Sequence, residues 1–257
     1  MVAGIDLDGM QPIARNVAGQ VAEAYIRHLG SDLVSFVAHG SGVKGGLISG
    51  SSDLDFAAIV RPGCVTPGGE LPLERVVPLH RDLARIDVEG FRYVQVYVDG
   101  QVGKQPVGFI PGTFHVLVGS QDVPVATAAN LVESARVSLA ALDPARLRDR
   151  LGNALLDHGE GRLVRQVRLL CTDVWPTMYQ VACLLADDPV QSWQRAKHDV
   201  VRHLGTDPDV GEPLRHWWDA VNAHYAAGET VETSLSALMS GVAFLEAATT
   251  WYRDGRR

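Results

Sequence analysis

Strand signal runs out halfway along this chain, and that restricts the folds open to it. Four short runs rich in β-branched and aromatic residues read as strands: Leu33–Ala38 (LVSFVA), Leu54–Val60 (LDFAAIV), Phe91–Val98 (FRYVQVYV) and Thr113–Val118. From Ala128 onward no comparable run occurs. Residues 130–142, 144–158, 162–186, 190–204, 212–227 and 231–253 instead carry helical periodicity. Pro144 and Pro213 stand where a first helical turn tolerates proline, and Gly159, Gly205 and Gly228 stand at breaks. The expected fold class is therefore α+β. A mixed α/β domain over residues 1–128 precedes a helical bundle over 129–257, with the boundary near 125–130. A chain of 257 residues is long enough for both.

Within the first half, Ile13, Val17, Val21, Ala24, Tyr25 and Leu29 are spaced for one helix, stopped at Gly30. The proline- and glycine-rich stretch 62–72 reads as a loop, and Pro78–Arg85 as a turn or two of helix. In the second half, Leu214, Trp217, Trp218, Val221 and Tyr225 form one apolar stripe that reads as bundle core.

The stretch Val37–Val60, VAHGSGVKGGLISGSSDLDFAAIV, carries the chemistry. Strand residues two apart point to one face, so Asp53 and Asp55 project together from the start of an apolar strand. An uncompensated carboxylate in such a setting costs several kcal/mol or takes up a proton. A shared divalent cation is the compensation that fits, since magnesium binds through one or two carboxylates plus phosphate oxygens and water. Upstream, Gly40 and Ser41 open a short helix directly after a strand, where free N–H groups favour an anion. One loop thus aims phosphate donors and two metal ligands at one point, as a magnesium–triphosphate requires.

Other readings of the glycines fit less well. Gly40-Ser41-Gly42-Val43-Lys44-Gly45 matches G-x-G-x-x-G, but Gly45-Gly46 and Gly50 leave no room for the helix a dinucleotide site needs. Lys44 comes too early for a phosphate-binding P-loop and is followed by Gly45 rather than Ser or Thr. A solvated surface loop leaves the aspartate pair unexplained. No histidine pair has zinc-helix spacing, His198 and His203 included, and no G-x-S-x-G elbow is present.

Ala38-His39-Gly40-Ser41 followed by Ser52-Asp53-Leu54-Asp55-Phe56 resembles the signature of the nucleotidyltransferase superfamily: a hydrophobic residue, Gly-Ser, a spacer, then Asp-h-Asp. It looks most like the aminoglycoside nucleotidyltransferases. The resemblance implies an N-terminal catalytic domain, a helical acceptor-binding domain, and transfer of a nucleoside monophosphate, usually from ATP, to a hydroxyl. It implies that Asp53 and Asp55 are the catalytic metal ligands for magnesium. Gly40, Ser41, Gly42 and Ser52 would hold the triphosphate, with Lys44 within reach of an oxygen.

The sequence departs from the family at the later strand, where a third carboxylate is common and Gln95 stands here. If Phe91–Val98 pairs beside the aspartate strand, Gln95 faces with Tyr93 and Tyr97 toward the aspartates. Asp87 and Glu89 just upstream, or Asp157, Glu160 and Asp173 in the helical half, are the alternative acids.

Composition narrows the partners. A net charge of −7 disfavours nucleic acid and anionic membranes and suits a small cationic acceptor, which the resemblance implies is hydroxylated. A lincosamide, a metabolite or a protein hydroxyl are alternative acceptors, and a degenerate nucleotide-binding module is the non-enzyme alternative. A homodimer is compatible with the sequence. Cys64, Cys171 and Cys183 lack metal or disulfide spacing and read as reduced core thiols. The acids at positions 6 and 8 argue against a signal peptide, and no apolar run is long enough for a membrane span. The expected location is the cytoplasm.

Overall fold

A computed structural model describes residues 4–88, 90–100, 107–159 and 161–255. Two compact units make up the chain, Met1–Ala126 and Thr127–Arg257.

The first unit is built on a four-stranded mixed sheet. Helix α1 (Pro12–Leu29) leads into β1 (Leu33–His39), the single turn α2 (Ser41–Lys44) and β2 (Leu54–Val60). Helix α3 (Leu73–Leu83), β3 (Val94–Asp99) and β4 (Phe114–Gly119) follow. The strand order is β3-β2-β1-β4. β1 runs antiparallel to β2 and to β4, whereas β2 and β3 are parallel.

Alternation sorts β2 onto two faces. Leu54, Phe56, Ala58 and Val60 are buried in one apolar cluster with Ala14, Val17, Ala18, Val21 and Tyr25 of α1. Phe36 of β1 stacks between Tyr25 and Phe56, with centroids 4.7 Å and 5.2 Å away. Burying each such side chain is worth about 1.5–3 kcal/mol. On the opposite face Ala57 and Ile59 join Val37, Val116, Phe109 and Val123 in a smaller cluster. That cluster ends before the strand does, and Asp53 and Asp55 lie beyond it, half-buried.

Several boundaries differ from the sequence expectation: β1 runs on to His39, β4 is Phe114–Gly119, and the larger shifts are in α3 and β3. α3 begins at Leu73 rather than Pro78, with Pro78 inside it. A proline there removes one intrahelical bond, and the buried Leu79 still anchors the helix. β3 begins at Val94, because the Phe91 N–H is taken by the Val88 carbonyl and the Arg92 N–H by that of Ser52. The 62–72 loop contains a short 3-10 turn, Pro62–Cys64.

The second unit is helical: α4 (Ala128–Ala141), α5 (Pro144–Ala154), α6 (Arg162–Leu185), α7 (Pro189–Gln194), α8 (Lys197–Leu204), α9 (Gly211–Ala226) and α10 (Val231–Arg253). The helix expected over 190–204 is broken at Arg195 and Ala196, which are extended. There the Tyr179 hydroxyl donates to the Arg195 carbonyl at 2.8 Å, so a tertiary bond replaces a helical one. Leu214, Trp217 and Val221 are fully buried, with Trp218 and Tyr225 partly so. They pack among Val167, Leu170, Val174 and Met178 of α6 and Phe244, Leu245 and Ala248 of α10. No helix among the described residues is long and apolar enough to cross a membrane. Cys64, Cys171 and Cys183 are buried free thiols.

Two helix glycines separate packing from propensity. A Cβ on Gly241 would lie 2.6 Å from Leu170 Cδ2 and 2.8 Å from the Trp217 ring, whereas one on Gly152 meets nothing within 4 Å. Gly152→Ala is expected to stabilise the chain by about 0.5–1 kcal/mol through helix propensity. Gly241→Ala is expected to destabilise it, because overpacking a closed core costs about 1–3 kcal/mol. Urea unfolding of both variants checks the opposite signs.

Candidate active site

The sequence around Gly40 forces the chain to turn sharply out of β1. Gly40 sits at φ 71°, in the left-handed region that a residue with a Cβ occupies only at a cost. A Cβ there would also stand 3.0 Å from Asp55 Oδ2. The Asp55 carboxylate therefore rests directly against the Gly40 backbone. Gly40 is held on both sides: its N–H donates to the Thr113 carbonyl at 2.9 Å, and its carbonyl accepts from Lys44 at 3.0 Å. Gly42 is buried against β2, where a Cβ would meet Leu54 Cδ2 at 2.8 Å. The first N–H groups of a helical turn have no acceptor within that turn, so Ser41 and Gly42 begin α2 with donors to spare.

The two serines do different work. Ser41 is buried, and its hydroxyl donates to the Asp53 carbonyl at a long 3.4 Å. Ser52, also buried, accepts the Ile48 N–H through its hydroxyl oxygen at 2.9 Å, and its own N–H donates to the Ile48 carbonyl. It closes the turn that delivers the chain to Asp53, while its hydroxyl proton stays available. Lys44 ends α2 and is half-buried.

Pairing brings the neighbouring strands to the same place. His39 of β1 is the register partner of Asp55, and so is Gln95 of β3 on the other side. Tyr93, Gln95 and Tyr97 share that face. The Tyr93 hydroxyl donates to Gln95 Oε1 at 3.0 Å, and Gln95 Nε2 donates to the Tyr97 hydroxyl at 2.6 Å. The amide at the position of an expected third acid is thus satisfied at both ends by its own strand. Burial, and then the charges of Asp55 and Asp53, push the Tyr97 phenol up from its ordinary value.

His39 is the functional candidate that sequence reading missed. Burial pushes its imidazole down to about 4, against the pull of the Asp53 carboxylate, which favours the charged form. It is neutral at physiological pH. Its ring lies 6.2 Å from that of Tyr97 and 6.0 Å from that of Phe109. With Gly108, Ile110 and Thr113 these rings line a cavity of about 320 Å³. The period of two along β1 placed His39 on one face; only the register showed that the aspartates share it.

Asp87 is exposed in the segment before Phe91. Asp157 pairs with Arg162 at 2.8 Å and Asp173 with Arg150 at 3.2 Å, in the helical unit. Glu89 and Glu160 fall outside the described residues. No cluster of three or more His, Cys, Asp or Glu suited to a metal occurs among the described residues. Asp53 and Asp55 could together offer carboxylate oxygens to a divalent cation, with water and phosphate oxygens completing its coordination. That is chemistry suited to magnesium rather than to a structural metal.

No family model matches the chain, and no curated protein matches it in sequence. Among solved structures the fold is similar to that of spectinomycin adenyltransferase AAD(9) from Enterococcus faecialis, determined with ATP and spectinomycin. The superposition covers 91% of this chain and 98% of that chain, at 13% identity and a TM-score of 0.52. The α+β layout with a C-terminal helical region agrees with that likeness, so the chain shares the fold of that adenyltransferase.

The His39 shift has a testable sign. A base whose folded value is depressed adds stability in full above its unfolded value near 6.5 and loses it as pH falls through about 4. Asp53→Asn removes the anion that favours the imidazolium. Proton titration followed by NMR is expected to place His39 near 4 in the parent chain and lower in the variant.

Proposed function

We propose that this chain transfers a nucleoside monophosphate to a hydroxyl of a small molecule. AMP from ATP is the leading donor and an aminoglycoside-type antibiotic the leading acceptor. One observation carries the reading: Asp53 and Asp55 share a face at the open end of β2, with Asp55 against the backbone of Gly40. The likeness of the fold to an adenyltransferase supports it.

In this reading residues 1–128 are the nucleotidyltransferase catalytic domain and residues 129–257 a helical acceptor-binding domain. Asp53 and Asp55 would hold magnesium, which when bound supplies charge neutralisation on the phosphates. Ser41, the Gly40–Gly42 backbone and Ser52 orient the triphosphate, so that the acceptor oxygen attacks the α-phosphorus in line. The bond from that phosphorus to the bridging oxygen of the β-phosphate breaks, pyrophosphate leaves, and the new phosphodiester retains the nucleoside. The hydroxyl proton passes to a base or to water. Gln95 cannot take it; Asp53, Asp55 and the neutral His39 are groups near this face that can. Held geometry replaces a costly encounter of two substrates.

A second reading, nucleotide binding without turnover, is favoured by Gln95. The experiment incubates the full chain with ATP, magnesium and a panel of hydroxylated acceptors that includes spectinomycin, and reads mass. A gain of one nucleotide on a small acceptor supports the proposal. A gain on protein moves the acceptor class. Binding of ATP with no product on any acceptor selects the second reading. Asp53→Asn and Asp55→Asn are each expected to lower turnover by at least ~10³-fold with the fold intact, since each removes charge from the metal site. Near-parental rates in either would remove that residue from the site.

Gln95→Glu adds a third negative charge beside two others. It is expected to lower the magnesium concentration needed for half-maximal binding or activity, and to reduce the melting temperature of the metal-free chain. Magnesium titrations and melting curves with and without the ion check both effects.

A further inference from the structure

The cavity beside the aspartate pair is built for something other than phosphate. Its lining among the described residues is His39, Tyr97, Gly108, Phe109, Ile110 and Thr113, with no Asp, Glu, Lys or Arg among them. A volume of about 320 Å³ is at the lower end of small-ligand sites and suits one ring system.

The walls are rigid. Phe109 is buried, its N–H donates to the Pro124 carbonyl at 2.7 Å, and its carbonyl accepts from Ala126 at 2.8 Å. Thr113 is tied to Ile110 through both its N–H and its hydroxyl. Tyr97 is the exception in exposure: half of its surface, 51%, is open. Yet its hydroxyl is pinned by the Gln95 amide at 2.6 Å, so the ring is held in place by a polar tether rather than by packing. An aromatic ring that is open to solvent and fixed in orientation is a platform. His39 adds a second ring, nearly parallel to it at 23°, with one nitrogen that donates and one that accepts when neutral.

The geometry points to a stacking subsite for an uncharged planar heteroaromatic ring, laid on Tyr97 and walled by Phe109 and His39. The ring is either the base of the nucleotide or a ring of the acceptor. This inference deepens the proposed nucleotidyl transfer and rests on that reading for the identity of the ring's owner.

The test titrates the full chain with ATP–magnesium and with tripolyphosphate–magnesium, which has the phosphates but no ring. Ring stacking on an aromatic side chain is worth roughly 5- to 100-fold in affinity. If the ring is the nucleobase, Tyr97→Ala weakens ATP by about that factor and leaves tripolyphosphate unchanged. Tyr97→Phe, which keeps the ring but loses the hydroxyl that Gln95 holds, retains more affinity than Tyr97→Ala. If the ring belongs to the acceptor, ATP is unchanged in Tyr97→Ala. The same loss then appears in the binding of nucleosides and aryl glycosides titrated at saturating ATP–magnesium. Should no ring-bearing probe lose affinity in Tyr97→Ala, or should tripolyphosphate lose as much as ATP, the subsite is overturned. If tripolyphosphate–magnesium fails to bind the parent chain at all, the proposed transfer fails instead. The subsite is then judged on nucleosides alone, by whether Tyr97→Ala weakens them.

Discussion

Two carboxylates on a central strand can be tolerated only if one end of one sheet face is kept out of the core. β2 has strands on both sides, so its backbone groups are spent on pairing and its side chains have only the two faces. One face is claimed along the whole strand by Leu54, Phe56, Ala58 and Val60 beneath α1. The other is claimed only as far as Ala57 and Ile59, where Phe109 and Val123 cover it. Asp53 and Asp55 fall on the uncovered remainder. Shift β2 by one residue and the carboxylates would enter the α1 core at a cost of several kcal/mol each, while Leu54 and Phe56 would face outward. The apolar contacts of α1 therefore fix the register, and the register fixes the site.

The same constraint explains the glycines. Asp55 can lie against the turn after β1 only because Gly40 has no side chain and accepts φ 71°. Gly42 lets the next turn settle on Leu54. Backbone donors and two carboxylates thus share one small space; the donors favour anions, and the repulsion between the two like charges is what a bound cation would relieve.

Much of this was legible from residue order, because the signals were local. β2 is bounded by charge at one end and by Arg61-Pro62-Gly63 at the other, and its expected span matches the observed one. The aspartate pair follows from a period of two. α3 was obscured by Pro78, whose local penalty is outweighed by the burial of Leu79. The break at Arg195 depends on Tyr179, 16 residues earlier on another helix, and no local pattern announces it. The cavity was hidden for the same reason. Its residues come from β1, β3 and the segment before β4, and only strand register brings His39 and Tyr97 together with Phe109.

Gln95 shows how such a face can be balanced without an ion. A carboxylate at this position would be a third like charge opposite Asp55, its register partner, and like charges directly across a strand pair are destabilising. An amide avoids that repulsion but brings a donor and an acceptor that both need partners. Tyr93 supplies the donor and Tyr97 the acceptor. The ladder leaves the amide satisfied and uses it to hold Tyr97 upright at the mouth of the cavity. The amide that adds no charge to the aspartate face is thus also the group that fixes an aromatic ring beside it.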